Sequence, residues 1–273
     1  MSQQFDPELH RQMGVEADVV LRVGMLLMGA GTSGYRVLRG MKRSARALGF
    51  DHLDATVGLT QITCTFHRGE YFRTVIARQH SPAVDASRIE ALEDLTHNRL
   101  YAGITAQELA AMLDVIEFGV KKRWSGLVLS FAAAIACAAF AYLNCFPLEA
   151  VGLVALAAFA GQFVRYTVLH RHVHQIGGVI AGGATASIVF FLLTEFFGAI
   201  GSVAPSELSS GVVAAVLFLI PGFPLFSALI DIARFDLDAG IVRLGYAFTV
   251  IFTATFTVSM VSCLTQLTPE PPA

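Results

Sequence analysis

Basic residues almost vanish from the second half of this chain. Of its 19 Lys and Arg, 15 lie at or before Arg123, leaving only Arg165, Arg171, Arg234 and Arg243 beyond it. Carboxylates divide the same way, 14 up to Glu117 and 7 after. A polar, water-facing surface over residues 124–265 is therefore excluded, and the positive mean hydropathy of +0.61 belongs to that half. The formal net charge of −2 argues against nucleic acid as a partner. The four cysteines (Cys64, Cys137, Cys145, Cys263) form no CxxC pair or metal spacing, which removes zinc-ribbon and dithiol redox chemistry. Cys145 and Cys263 both fall near expected outer helix ends, so a disulfide between them is the one pairing to look for. The start, MSQQFDPELHRQMGVEAD, is polar and lacks the apolar core of a cleaved signal, so the first domain is expected to stay where it is made.

What fills the second half is a series of apolar runs of the ~20 residues that cross a bilayer. Expected spans are about 124–145, 149–169, 175–198, 210–232 and 241–264. Lys121-Lys122-Arg123 precedes the first, and Arg165, Arg171 and the histidines gather where the second ends. Arg234 and Arg243 flank the loop after the fourth. The alternate connections, Asn144 to Glu149 and Gly201 to Glu207, and the tail TQLTPEPPA carry no Lys or Arg. Five spans with the N-terminus inside and the C-terminus outside put every basic residue on one side, as the positive-inside bias requires. The expectation is a multi-pass α-helical protein of the cell (inner) membrane, with residues 1–120 as an N-terminal α+β cytoplasmic domain and 121–273 as the transmembrane domain.

Several membrane residues suggest more than anchorage. Gly178, Gly182 and Ala186 form a small-residue ridge that lets another helix approach closely. Pro221, Gly222 and Pro224 interrupt the fourth span near its expected middle, where proline removes a donor and clashes with the preceding turn. Broken helices of this kind build substrate sites in transporters, and a plain proline kink is the equal alternative. Asp231 is expected at the inner end of that span, Asp236 and Asp238 just past it, and Gln162 and Arg165 in the inner half of the second. Intramembrane ionisable groups are functional candidates by default, although Arg165 lies close enough to the interface to snorkel. Glu195 falls near an outer end. Thr249, Thr253 and Thr257 form a polar stripe on span five, for helix pairing or for lining a pathway. His170, His172 and His174 alternate, and interfacial packing outweighs a metal site for lack of further ligands.

The first half reads as a small α+β domain. Val15 to Leu48 is helical with glycines in its middle. Val57 and Leu59 alternate, then Ile62, Cys64 and Phe66 alternate on the opposite parity, which predicts a bulge or bend. His67-Arg68-Gly69-Glu70 reads as a turn into a strand over Tyr71 to Arg78. Two capping boxes, Ser87…Glu90 and Thr105…Glu108, open two helices. The second presents Leu109, Met112, Leu113, Ile116 and Val120 on one face. Gly29 to Gly34 spells GxGxxG with Asp54 twenty residues beyond. The dinucleotide mechanism, however, needs a strand before the glycines and βαβ units after them. Close helix packing or a helix break is the expected role.

Taken in order, MLLMGAGTSGYRVLRGMKRSARALGF, the strand pair, the GITAQELAAMLDVIE helix and LIPGFPLFSALIDIARFDLDAGIVRL resemble the threonine/serine exporter family from about residue 15 onward. The resemblance implies a secondary exporter and no enzyme or cofactor. Full-length members carry a second set of membrane helices. A chain ending after five spans is thus expected to work with a small separate membrane protein and to form an oligomer. Threonine and serine are the first substrates implied. Split pairs of this type also imply a dicarboxylate such as succinate, and a scaffold without its own pathway is the remaining alternative. Pro221, Gly222 and Asp231 match the best-marked membrane segment of the family; Asp236, Asp238, Gly240 and Arg243 match less closely. A protonatable Asp231 would couple export to proton entry.

Overall fold

Elements were traced in a computed structural model that describes residues 7–79, 84–120, 124–171, 173–199 and 211–265. Lys121-Lys122-Arg123, His172, the connection Gly201 to Glu207 and the tail after residue 265 lie outside the described residues. The chain divides into two compact units: 1–123 with 223–245, and 124–222 with 246–273.

In the first unit, apolar residues at helical spacing fold α1 (Pro7–Gly29) against α2 (Gly34–Ala47). Met13, Ala17, Val20, Val23 and Leu27 of α1 and Val37 and Met41 of α2 are fully buried. A side chain at Gly24 would collide with Met41, so that glycine sets how closely the pair approaches. The helices are separated by a break at Gly31, whose φ of +91° is left-handed and suits glycine alone among common residues. An antiparallel sheet follows, β1 (His52–Val57), β2 (Gln61–Arg68) and β3 (Tyr71–Arg78), in the order β1-β2-β3. Its register pairs Val57 with Ile62 and Arg68 with Tyr71.

The parity change expected to mark a bulge is instead a hairpin. β1 ends at Val57, the Gly58 amide donates to the Gln61 carbonyl at 2.8 Å, and the turn resets the alternation. Leu53, Val57, Ile62, Cys64 and Phe66 then line one core with α1 and α2. The second turn falls where expected, with Gly69 at φ +58°.

Helix α3 (Ala86–Asp94) continues into a single π turn, Leu95–Arg99, and α4 (Ala106–Gly119) buries Leu109, Leu113 and Ile116. The Thr105…Glu108 capping box is present as expected. The Ser87…Glu90 box is not, because the helix begins two residues earlier. Asp85 is its N-cap and accepts from the Arg88 amide at 3.1 Å.

The second unit holds α5 (Gly126–Leu143), α6 (Leu148–His170), α7 (Gln175–Ala199), α8 (Gly211–Ala215), a 3₁₀ turn (Leu217–Leu219) and the later part of α10 (Leu237–Thr265). Among the described residues, helices α5, α6, α7 and α10 are the four that are long and apolar enough to cross a membrane, matching four of the five expected spans. The other, 210–232, is not one helix. It is split into α8, the 3₁₀ turn and α9 (Gly222–Ala233), whose 12 residues rise only about 18 Å against a hydrocarbon core of about 30 Å.

The split has a local cause. A residue before proline is driven out of the helical region, and Ile220 before Pro221 is extended at φ −62°, ψ 124°. Pro224 breaks nothing, because it sits in the first turn of α9, where amides lack intrahelical partners anyway. The four cysteines, including the exposed Cys145 and Cys263, are free thiols.

Candidate functional site

Two polar constellations stand out, one in each unit. In the second unit α6 and α7 touch nearly backbone to backbone. A β-carbon on Gly161 would lie 2.7 Å from both the Ala186 β-carbon and the Gly182 carbonyl, and one on Gly182 would lie 2.9 Å from the Arg165 β-carbon. Gly178 gives equally little room, with Leu169 2.8 Å from where its β-carbon would stand. This seam holds Arg165 inward. Its Nη1 donates to the Phe218 carbonyl at 3.2 Å, in the 3₁₀ turn where regular helix pairing has lapsed. Its Nε has no partner.

Three more buried polar atoms of this unit lack partners: Gln162 Oε1, one turn before Arg165 on α6, Ser187 Oγ on α7, and the Tyr246 hydroxyl on α10. Tyr246 packs against the cluster of Val179, Leu219 and Val250, as does Phe218, whose carbonyl accepts from Arg165. Ser187 belongs to the same stripe of α7 as Val179 and Gly183; a β-carbon on Gly183 would meet Leu219 at 3.0 Å and Thr257 at 3.6 Å. Each such orphan costs about 1–3 kcal/mol unless a ligand or water completes it.

Of the polar stripe on α10, Thr253 and Thr257 donate to the carbonyls one turn back, Thr249 and Thr253, each at 2.8 Å. Their hydroxyl protons are therefore spent on the helix itself. Sequence reasoning marked Gln162 and Arg165 but missed Ser187 and Tyr246. Each is a single polar residue in an apolar run, the one signal the sequence carries for them.

In the first unit the centre is Asp231 on α9, fully buried. Its Oδ2 accepts from Arg243 Nη1 at 2.5 Å and, more weakly, from the Gly34 amide at 3.4 Å; its Oδ1 has no partner. Arg243 is itself buried. Gly34 opens α2, so the carboxylate lies at that helix's positive end, where a negative charge is favoured. The GxGxxG segment thus forms a helix break whose amide receives the chain's own carboxylate. α1, not a strand, precedes it, and Asp54 is engaged with His52 at 2.9 Å on β1.

Between α9 and α10 the chain turns at Phe235, φ +62°, and Asp236 Oδ1 accepts from the Ala239 amide at 3.5 Å. Asp238 is exposed in the first turn of α10. Gly240 lets α10 approach α9, since a β-carbon there would lie 3.2 Å from the Ala228 carbonyl. Arg234 stacks over the Tyr35 ring at 3.7 Å. Phe223 lines a cleft of about 450 Å³ with Ile89 and the charged Arg36, Arg39, Glu90 and Glu93, surroundings unlike the hydrocarbon expected around Pro221 to Pro224.

Metal chemistry finds no support among the described residues. His170 stacks on Tyr166, His174 accepts from the Ile176 amide, and no group of three His, Cys, Asp or Glu side chains is placed to hold an ion.

Among the described residues, four helices are long and apolar enough to span a membrane, and unpaired polar groups gather beside an interrupted segment. A family model described as "Putative threonine/serine exporter" matches residues 18–265. The chain belongs to the threonine/serine exporter family. This is a family of membrane transporters rather than enzymes. Two relatives carry the name "Probable succinate transporter subunit YjjP". The one from Escherichia coli K12 is 22% identical over 256 residues, covering 90% of this chain and 92% of that protein. The one from Klebsiella aerogenes is 21% identical over 226 residues, covering 82% and 83%. No solved structure matches the chain.

Proposed function

We propose that this chain is one subunit of a two-component secondary exporter of small carboxylate-bearing metabolites. The observation that carries the reading is the inward-held, incompletely paired Arg165 beside the 3₁₀ turn of an otherwise apolar membrane unit. A guanidinium kept there against its desolvation cost suits an anionic group that visits it.

A dicarboxylate such as succinate is the first substrate reading, supported by the names of the two relatives. Threonine and serine are the second, supported by the family description. Those relatives' names speak of subunits, which supports a separate membrane partner. The one-sided distribution of Lys and Arg supports placement in the cell inner membrane with the N-terminus cytoplasmic and the C-terminus outside. That orientation requires an odd number of crossings, one more than the four helices long and apolar enough among the described residues supply. Pro221, Gly222 and Pro224, at the interruption, are pathway candidates, and Asp231, Asp236 and Asp238 beyond them are coupling candidates.

Efflux from cells preloaded with labelled succinate, threonine and serine tests the proposal, with this chain alone and with its partner co-expressed. Export of one solute only when both chains are present is the expected result. Absence of export in every combination, with both proteins shown in the membrane, would refute it. Reporter fusions at the two termini test the orientation independently.

A further inference from the structure

We propose that Arg165, together with Gln162 and Tyr246, forms the contact that binds a carboxylate of the exported solute, and that this site selects a dianion over a zwitterion. The proposal rests on the export reading above and assigns its substrate contact to particular atoms.

The geometry divides the guanidinium into a spent side and a free side. Nη1 is held by the Phe218 carbonyl, which fixes the plane. The Nε edge is left open, and Nε is buried without a partner. That edge is one that pairs with a carboxylate through two parallel bonds. Snorkelling does not describe this side chain, since its root is clamped on Gly182 and its tip on a carbonyl of the 3₁₀ turn. Gln162 lies three residues earlier on the same helix face, and its amide NH₂ can donate to a carboxylate. The Tyr246 hydroxyl can donate from α10, and it too is unpaired. Helices α6 and α10 thus bring incomplete polar groups beside the 3₁₀ turn, whereas native interiors leave few such groups unsatisfied.

Charge decides the class of ligand. The described carboxylates of this unit are Glu149, in the first turn of α6, and Glu195, near the end of α7, both exposed. Glu149 lies 16 residues from Arg165 along one helix, about 24 Å of rise, and Glu195 lies 13 residues beyond Gly182, about 20 Å. Neither reaches an ammonium seated beside a carboxylate on Arg165. A buried ammonium without a counter-charge is strongly disfavoured. A small dicarboxylate has no such group; its second charge is negative, which the Arg165 guanidinium attracts where it would repel an ammonium, and the unpaired Ser187 hydroxyl farther along the α7 stripe can donate to it.

The test is efflux kinetics for the full chain with its partner, comparing Arg165→Lys, Arg165→Ala, Tyr246→Phe and Gln162→Leu with the wild type. Arg165→Ala is expected to lose on the order of 100-fold in succinate efflux efficiency, as removal of one side of a buried charged contact does. Arg165→Lys keeps the charge without the two-pronged fork and is expected to raise KM about tenfold at nearly constant Vmax. Tyr246→Phe and Gln162→Leu are expected to raise KM a few-fold.

A fold-independent readout accompanies them. In Gln162→Cys, with Arg165 intact, succinate should slow thiol labelling and threonine should not. Unchanged KM in Arg165→Lys and Tyr246→Phe, or labelling of Cys at 162 that ignores succinate, would overturn the assignment while leaving export standing. Wild-type export of threonine and not succinate would overturn the selectivity alone. No wild-type export of any solute would instead refute the reading on which the proposal rests.

Discussion

Replacing Asp231 tests whether its carboxylate serves one partner or two. In Asp231→Ala the buried Arg243 loses its counter-charge, and breaking a buried pair in this way costs about 3–5 kcal/mol. The Gly34 amide loses its acceptor as well. At 3.4 Å that contact is long, so its share belongs at the low end of the roughly 0.5–2 kcal/mol measured for helix caps. Together the loss is about 4–5 kcal/mol. For a chain of this size each kcal/mol moves Tm by about 2–4 °C, so thermal unfolding in detergent should shift down by on the order of 10 °C.

The discriminating variant is the charge swap Asp231→Arg with Arg243→Asp. An isolated ion pair would tolerate the exchange. Here the swap places a cation against the amide end of α2, where the helix dipole repels it, so recovery should be poor. A swapped protein that unfolds within about 2 °C of the wild type, less than the shift expected for 1 kcal/mol, would refute the capping argument. An Asp231→Ala variant with the same Tm as the wild type would refute the buried-pair argument entirely. Asp231→Asn keeps the shape and drops the charge; export at the wild-type rate with the wild-type pH dependence would remove Asp231 as a proton-coupling group.

Three further outcomes follow from other parts of the structure. Gly182→Val should destabilise the α6–α7 seam by about 1–3 kcal/mol through overpacking and should lower efflux, since the new side chain meets Arg165; a variant with unaltered Tm and transport would mean the seam is looser than described. Burial pushes the Cys64 thiol up to about 12, so maleimide at neutral pH should label the exposed Cys145 and Cys263 and reach Cys64 only after unfolding. The Thr105 amide and hydroxyl hold the Glu108 carboxyl below the ordinary glutamate range, so its cap is fully formed above the unfolded-state value. That contribution is lost as pH falls through the lowered folded value, and amide protection at the start of α4, taken relative to the intrinsic exchange rate at each pH, should drop there in the wild type but not in Glu108→Gln. Acid-independent protection in the wild type would contradict it.

Much of the first unit was legible because its signals are local. The turn before Tyr71 and the Thr105 cap each depend on a few consecutive residues, and they stand where expected. The misread hairpin at Gly58 shows the limit, because an alternation that changes parity is satisfied equally by a bulge and by a tight turn. Only the pairing of Val57 with Ile62 separates them. The cap of α3 failed for a related reason: Asp85 and Ser87 both suit an N-cap, and the sequence pattern does not rank them. The interruption at Pro221 was plain, but its extent was not. Proline dictates the conformation of Ile220, whereas the partner of the Phe218 carbonyl in the 3₁₀ turn before it, Arg165, comes from another helix.

By itself the sequence determined the class of this protein. Apolar runs of bilayer length, the retreat of charge after Arg123 and the order of the segments from Met25 to Leu244 are one-dimensional properties, and they were enough for a membrane protein of the threonine/serine exporter family. Which polar groups stay unpaired is a three-dimensional property. Arg165 and Tyr246 lie 81 residues apart, and Asp231 lies 197 residues from Gly34, so no window of sequence reveals that Arg165 Nε and the Tyr246 hydroxyl stay unpaired while Asp231 Oδ2 finds Arg243 and the Gly34 amide. Tertiary packing decided that, because a hydrogen bond is satisfied by whatever the fold brings within about 3 Å, irrespective of its place in the chain.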